Sequence, residues 1–164
     1  MIAPDFDRAR DFAVRYLSHA PRTRKQMQDR LAAKEFSPEA ARAVIQLLTE
    51  MGYLNDIALA QNYISAKTRL NNYGRRRIAA ALSQKGVAKE DIQAAYDAIL
   101  QQDDHDEAEA ARRALTKRLA RKDITEIVND PKEMQRLASF LMRRGFSYDI
   151  VKSVLKNQLE EETS

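Results

Sequence analysis

His105 stands beside Asp103, Asp104, Asp106 and Glu107, a concentration of carboxylates and imidazole that could in composition attract a divalent cation. Neighbours along a helix or turn do not converge on one point, however, and no second histidine and carboxylate group lies at ligand spacing. The group therefore reads as an exposed acidic helix start, where carboxylates meet the positive end of the macrodipole. A metal-dependent nuclease using the Asp103 to Glu109 carboxylates is the enzymatic reading it leaves, and product formation with DNA and magnesium would reveal it. His19, just before Pro21, reads as a helix-end residue. The four glycines build no phosphate-cradling loop, and neither a serine nucleophile elbow nor an HExxH helix appears. The chain has no cysteine, which removes disulfides, thiolate catalysis and thiolate metal sites. No catalytic residue, metal site or cofactor is expected, and the protein is expected not to be an enzyme.

Charge is the stronger signal. Lys67, Arg69, Arg75, Arg76, Arg77, Lys85 and Lys89 follow one another with no acid between them. From Glu90 to Glu109 there are acids and no Lys or Arg, and then Arg112, Arg113, Lys117, Arg118, Arg121 and Lys122 reverse the sign again. The net charge of +4 is too modest to prove a polyanionic partner, so distribution matters more than the total. Two readings stay open: a basic binding surface in the middle of the chain, or acidic and basic helices that neutralise each other between stacked units. Arg75, Arg76 and Arg77 open a helix, where bases oppose the macrodipole at a small cost that a partner anion could offset. Three adjacent arginines point in different directions around a helix, so they cannot all serve one contact.

The elements that must carry these residues are helices. Only four Gly and four Pro occur in 164 residues, and the abundant Ala, Leu, Arg, Gln and Glu favour helix nearly everywhere. A hydrophobic fraction of 44% is enough for a folded chain. With no Trp and few aromatics, the core is expected to be thin and built largely from Ala, Leu, Ile and Val. Three segments align without gaps: Arg30 to Val44, Ala81 to Ala95 and Phe140 to Val154. Each is a helix end, a turn and a new helix. Leu31, Leu82 and Leu141 share one slot, followed by the closing cations Lys34, Lys85 and Arg144. Gly86 and Gly145 then supply a left-handed residue, for which the first copy has Glu35, at some expected cost in turn stability. Phe36, Val87 and Phe146 fold back over the helix end. Ser37 and Ser147 are placed as N-caps, whereas Ala88 leaves the second copy without one.

Upstream, Thr23 to Gln26 reads as a capping box, Gly74 precedes a helix after a loop from Leu70 to Tyr73, and Asp130-Pro131 opens another. Nine helices are expected, in repeats 1–55, 56–102 (the basic centre) and 103–164. Units this small bury little apolar surface alone, so an all-α fold of three tandem three-helix repeats, stacked into an elongated curved body, is expected. The amino terminus is acidic and lacks an apolar signal region, and no stretch approaches membrane-spanning length. Cytoplasmic residence, without membrane association, follows as the default.

Gly52-Tyr53-Leu54-Asn55-Asp56 has Ala60 and Tyr63 after it, Tyr73-Gly74-Arg75-Arg76-Arg77-Ile78 is followed by Leu82 and Gln84-Lys85-Gly86-Val87, and Arg22-Thr23 stands before Gln26-Met27 and Leu31. In order and spacing these runs resemble motifs of the bacterial RecX family: its G-Y-[LI]-[DN]-[DE] turn, its Gly-x-x-[RK]-[IL] helix start with a closing K-G-[IV], and its first helix-opening motif. The likeness spans about residues 8 to 159 and is sharpest at the centre. Glu35, where the family usually has glycine, and the bland Ala79 to Ala81 are mild departures. The resemblance implies a monomeric regulator that binds the RecA recombinase filament on DNA, along its groove, and restrains RecA ATPase, strand exchange and co-protease activity in DNA repair, recombination and the SOS response. A helical module that binds single- or double-stranded DNA without sequence preference is the alternative, although no base-reading helix is obvious.

Overall fold

The computed structural model describes residues 1–102, 106–120 and 122–162. Among these, ten helices and no strands occur: α1 (Phe6–His19), α2 (Arg24–Ala33), α3 (Pro38–Glu50), α4 (Asp56–Asn71), α5 (Arg75–Gln84), α6 (Lys89–Gln101), α7 (Glu107–Leu119), α8 (Ile124–Val128), α9 (Pro131–Arg143) and α10 (Tyr148–Glu162). The protein is all-α, as the composition and periodicity require.

Local capping chemistry sets most of the boundaries. Thr23 and Gln26 form the reciprocal box that opens α2, each backbone N–H donating to the other's side chain at 3.0 Å. Ser37 caps α3 ahead of Pro38, and Asp130 accepts from Lys132 N at 2.9 Å to start α9. Ser147 accepts from Ile150 N at the start of α10. The three aligned turns close alike. Phe36, Val87 and Phe146 donate back to the carbonyls of Leu31, Leu82 and Leu141. The residue before each has positive φ: 61° at Glu35, 87° at Gly86 and 97° at Gly145.

Two expectations need correction. The count of nine helices omitted α8, whose five residues bring only Ile127 into the core among those with described side chains, too few to show a period. Asp123 caps it, accepting from Thr125 N at 3.0 Å. The loop expected from Leu70 to Tyr73 is shorter, because α4 continues through Asn71 and Asn72 takes the left-handed turn at φ 53°. Asparagine tolerates that region better than most residues do.

Compactness divides the chain into two units, Met1–Asn62 with Leu82–Asp97, and Tyr63–Ala81 with Ala98–Ser164. In the first, Ala9, Ala13, Met27, Leu31, Val44 and Leu48 form the core on which α1, α2 and α3 pack. In the second, Leu115, Leu137, Leu141, Phe146, Val151 and Val154 join α7, α9 and α10. Small residues carry the buried faces of α1 (Ala9 and Ala13) and much of that of α7 (Ala110, Ala111 and Ala114). The middle helices α4, α5 and α6 contribute residues to both units.

Candidate functional site

The start of α5 is built by its docking on the closing turn of α9. Gly74 N donates to Arg144 O at 2.8 Å and Arg76 N to Gly145 O at 3.0 Å. Arg75 N donates to Glu107 Oε1 at 2.8 Å, so a carboxylate from the first residue of α7 caps α5. The expected conflict between an arginine run and the helix dipole is therefore met inside the fold, by an anion placed where the free N–H groups point.

The same junction occurs in the other unit. Thr23 Oγ1 donates to Lys85 O at 2.6 Å where α2 meets the closing turn of α5. Arg24 N donates to Asp56 Oδ1 at 3.0 Å, and Asp56 is the first residue of α4. Both backbone-to-carboxylate bonds span 32 residues. The second helices of the first two repeats thus start on the closing turn of the next repeat's second helix, each capped by the acidic first residue of that next repeat's first helix.

Within the basic centre, the Arg77 guanidinium lies 3.9 Å from the Tyr73 ring centroid and that of Arg144 lies 4.9 Å from it. One ring therefore holds two cations. Burial draws the Arg144 guanidinium below its ordinary value, with Arg77 adding to that and Tyr73 opposing it. Arg69, Arg76 and Arg77 are exposed and Lys67 and Arg75 half-buried, all in the second unit. Lys67 Nζ sits 5.4 Å from the Tyr63 centroid. Lys85 and Lys89 belong to the first unit, Lys85 half-buried and Lys89 exposed. Arg69, Arg76 and Lys89 have no carboxylate partner among the described residues.

The motif residues separate into two groups. Leu54, Ile78 and Leu82 are core, and Asp56 and Gly74 are buried at the two junctions. Gly52, at φ 79°, and Gly86 make turns. Arg77 and Tyr53, which is 64% exposed, face solvent. Tyr53 borders an apolar cleft of ≈ 430 Å³ with Val14, Leu17, Leu47 and Met51. Sequence reading passed over Tyr73 and Glu107 as partners of the arginines. An aromatic residue directly before a glycine and an arginine run was the available signal for the first; for the second there was none. Asp103, Asp104, His105 and Arg121 lie outside the described residues. Among the described residues no three His, Asp or Glu side chains group as metal ligands, and no helix is long and apolar enough to cross a membrane.

Interlocked helix ends of this kind define a helical-repeat protein of three three-helix domains. Models of the first, second and third RecX three-helix domains match residues 9–48, 55–95 and 105–155. The chain belongs to the RecX family. It is 34% identical over 156 residues to the regulatory protein RecX of Streptomyces lividans, covering 95% of this chain and 80% of that one. It is 32% identical over 161 residues to the regulatory protein RecX of Clostridium perfringens (strain 13 / Type A), covering 96% and 72%. The crystal structure of RecX from Lactobacillus salivarius shares the fold, with a TM-score of 0.78 at 22% identity over 95% of this chain and 97% of that one. Membership in a family of regulatory proteins gives the chain a regulatory role.

Proposed function

We propose that this protein binds the RecA filament on DNA and restrains RecA ATPase, strand exchange and co-protease activity in recombination and repair, in the bacterial cytoplasm and without catalysis of its own. The family match across all three domains carries this reading. The exposed bases Arg69, Arg76 and Lys89 and the half-buried Lys67 support it, because uncompensated cations favour a polyanionic filament. With repeats taken at 1–55, 56–102 and 103–164, several such contacts act together at high effective concentration and favour polymer over free subunits. The active form is taken as a monomer, since the closing turn of the first repeat carries Glu35 where both docked turns carry glycine.

RecA ATPase on single-stranded DNA, measured with and without this protein, tests the proposal. Inhibition at less than one protein per RecA, persisting when single-stranded DNA is in excess, is expected. Inhibition that vanishes on adding bare DNA would instead favour the second reading, a sequence-independent DNA binder that masks the lattice.

A further inference from the structure

A second basic feature, built from bases other than the seven of the central block, lies in the unit formed by residues 63–81 and 98–164. Lys117 and Arg118 near the end of α7, Arg144 at the end of α9, and Asn71, Asn72 and Phe140 line a concavity of ≈ 250 Å³. Its cations have no carboxylate partner among the described residues. Arg144 instead donates to the carbonyl oxygens of Asn71 and, at 3.1 Å, Asn72. Arg113, on the same helix as Lys117, donates to Asn72 Oδ1 at 2.9 Å and Thr68 O at 3.2 Å. Arg118 and Arg144 lie 5.2 and 5.6 Å from the Phe140 centroid.

The acids of α7 do not relieve this charge. Glu109 is bound by Arg112 at 2.8 Å and Glu107 by Arg75 N, about 12–15 Å up the helix from Lys117 at 1.5 Å per residue. The carboxyl end of α7 supplies roughly half a negative charge, against three cations. A hydrogen-bonded Arg144 and an Arg118 beside the same aromatic ring, with the exposed Lys117 lining the same concavity, match an oxyanion that takes several charge-assisted bonds. The volume falls below the roughly 300–1,000 Å³ of drug-sized ligand pockets, which points to a single small group.

We propose that this concavity is a phosphate-binding pocket, in which Lys117, Arg118 and Arg144 hold one phosphate group of a free nucleotide or of a nucleic-acid backbone. The two sources share this chemistry and differ in what extends beyond the pocket.

Calorimetric titration of the full chain with inorganic pyrophosphate, metal-free ATP and a short oligothymidylate tests it. The variant is Lys117→Gln with Arg118→Gln; the control is Lys132→Gln with Lys152→Gln, the same charge change at exposed positions outside the pocket. Saturable one-to-one pyrophosphate binding is expected, weakened about tenfold (1.4 kcal/mol) in the pocket variant and unchanged in the control. Lys117 and Arg118 are exposed, so the variant should stay folded, with a melting temperature lowered by no more than about 2–4 °C for the lost contact of Arg118 with Phe140. A parallel loss for oligothymidylate supports backbone phosphate as the source, and a loss confined to pyrophosphate and ATP supports a nucleotide. Absence of saturable binding, or equal loss in pocket variant and control, overturns the proposal.

Discussion

Gly74 and Gly145 pack backbone to backbone: a Cβ on Gly74 would stand 2.6 Å from Gly145 O, and a Cβ on Gly145 would stand 2.6 Å from Arg77 Cβ. The atoms in the way are largely main chain held by hydrogen bonds, so the neighbour cannot swing aside. Gly145 also carries φ 97°. Gly145→Ala combines overpacking of about 1–3 kcal/mol with about 1–2 kcal/mol of left-handed backbone cost. Gly74→Ala carries only the first. Chemical denaturation should show both variants destabilised, with Gly145→Ala the worse; equal stability to the parent would mean the two turns do not dock.

Glu35 gives the opposite expectation. It holds a left-handed φ of 61° in a solvent-exposed turn. Glu35→Gly relieves a strain of about 1–2 kcal/mol, less the entropy glycine loses on folding, for a net gain near 1 kcal/mol. A melting temperature raised by about 2–4 °C is expected for a chain of this size.

Asp56 and Glu107 cap equivalent helices but differ in burial. Asp56 is 5% exposed and also pairs with Arg24 Nε at 3.5 Å, whereas Glu107 is half-buried. Asp56→Ala should cost about 1.5–3 kcal/mol, as for a lost bond to a charged group, and Glu107→Ala about 1 kcal/mol, as for a lost cap. Urea unfolding of the two variants checks the ranking.

Asp5 ties α1 to α3 by accepting from Ser37 N and Ser37 Oγ, both at 2.7 Å. The backbone bond and then the hydroxyl bond hold its carboxyl below the ordinary 3.8. A depressed folded pKa stabilises the protein above the unfolded value, and that contribution disappears as pH falls through the folded one. Asp5→Asn should therefore be less stable than the parent at neutral pH, with the gap closing below about pH 3.8. A gap independent of pH would show that the charge of Asp5 does no work.

Arg76 and Arg77 separate binding from folding. Arg76 is exposed without a carboxylate partner among the described residues, so Arg76→Glu should change stability by less than about 0.5 kcal/mol while weakening filament binding in a salt-dependent way. Arg77→Glu also loses its place over Tyr73, worth about 0.5–2 kcal/mol. Reversing Arg75, Arg76 and Arg77 together mixes the two effects and sets new acids beside Glu107. Unchanged affinity of Arg76→Glu at moderate salt would mark this part of the block as a solvated face.

Helix type, the caps at Thr23, Ser37, Asp130 and Ser147, and the three matching turns were legible from the chain alone. Each depends on groups within a few residues of one another, so the chemistry is written locally. The family motifs were legible too, as ordered spacings. Only the tertiary structure decided which motif residues serve the fold and which face outward. The bonds from Arg24 to Asp56 and from Arg75 to Glu107 cross 32 residues, and that from Arg144 to Asn72 crosses 72. No periodicity marks such partners, because a helix end has free N–H groups wherever it begins and packing alone selects the oxygen that meets them. The short helix α8 escaped for a related reason: one buried isoleucine among the described side chains sets no period, and it is held by the core it joins.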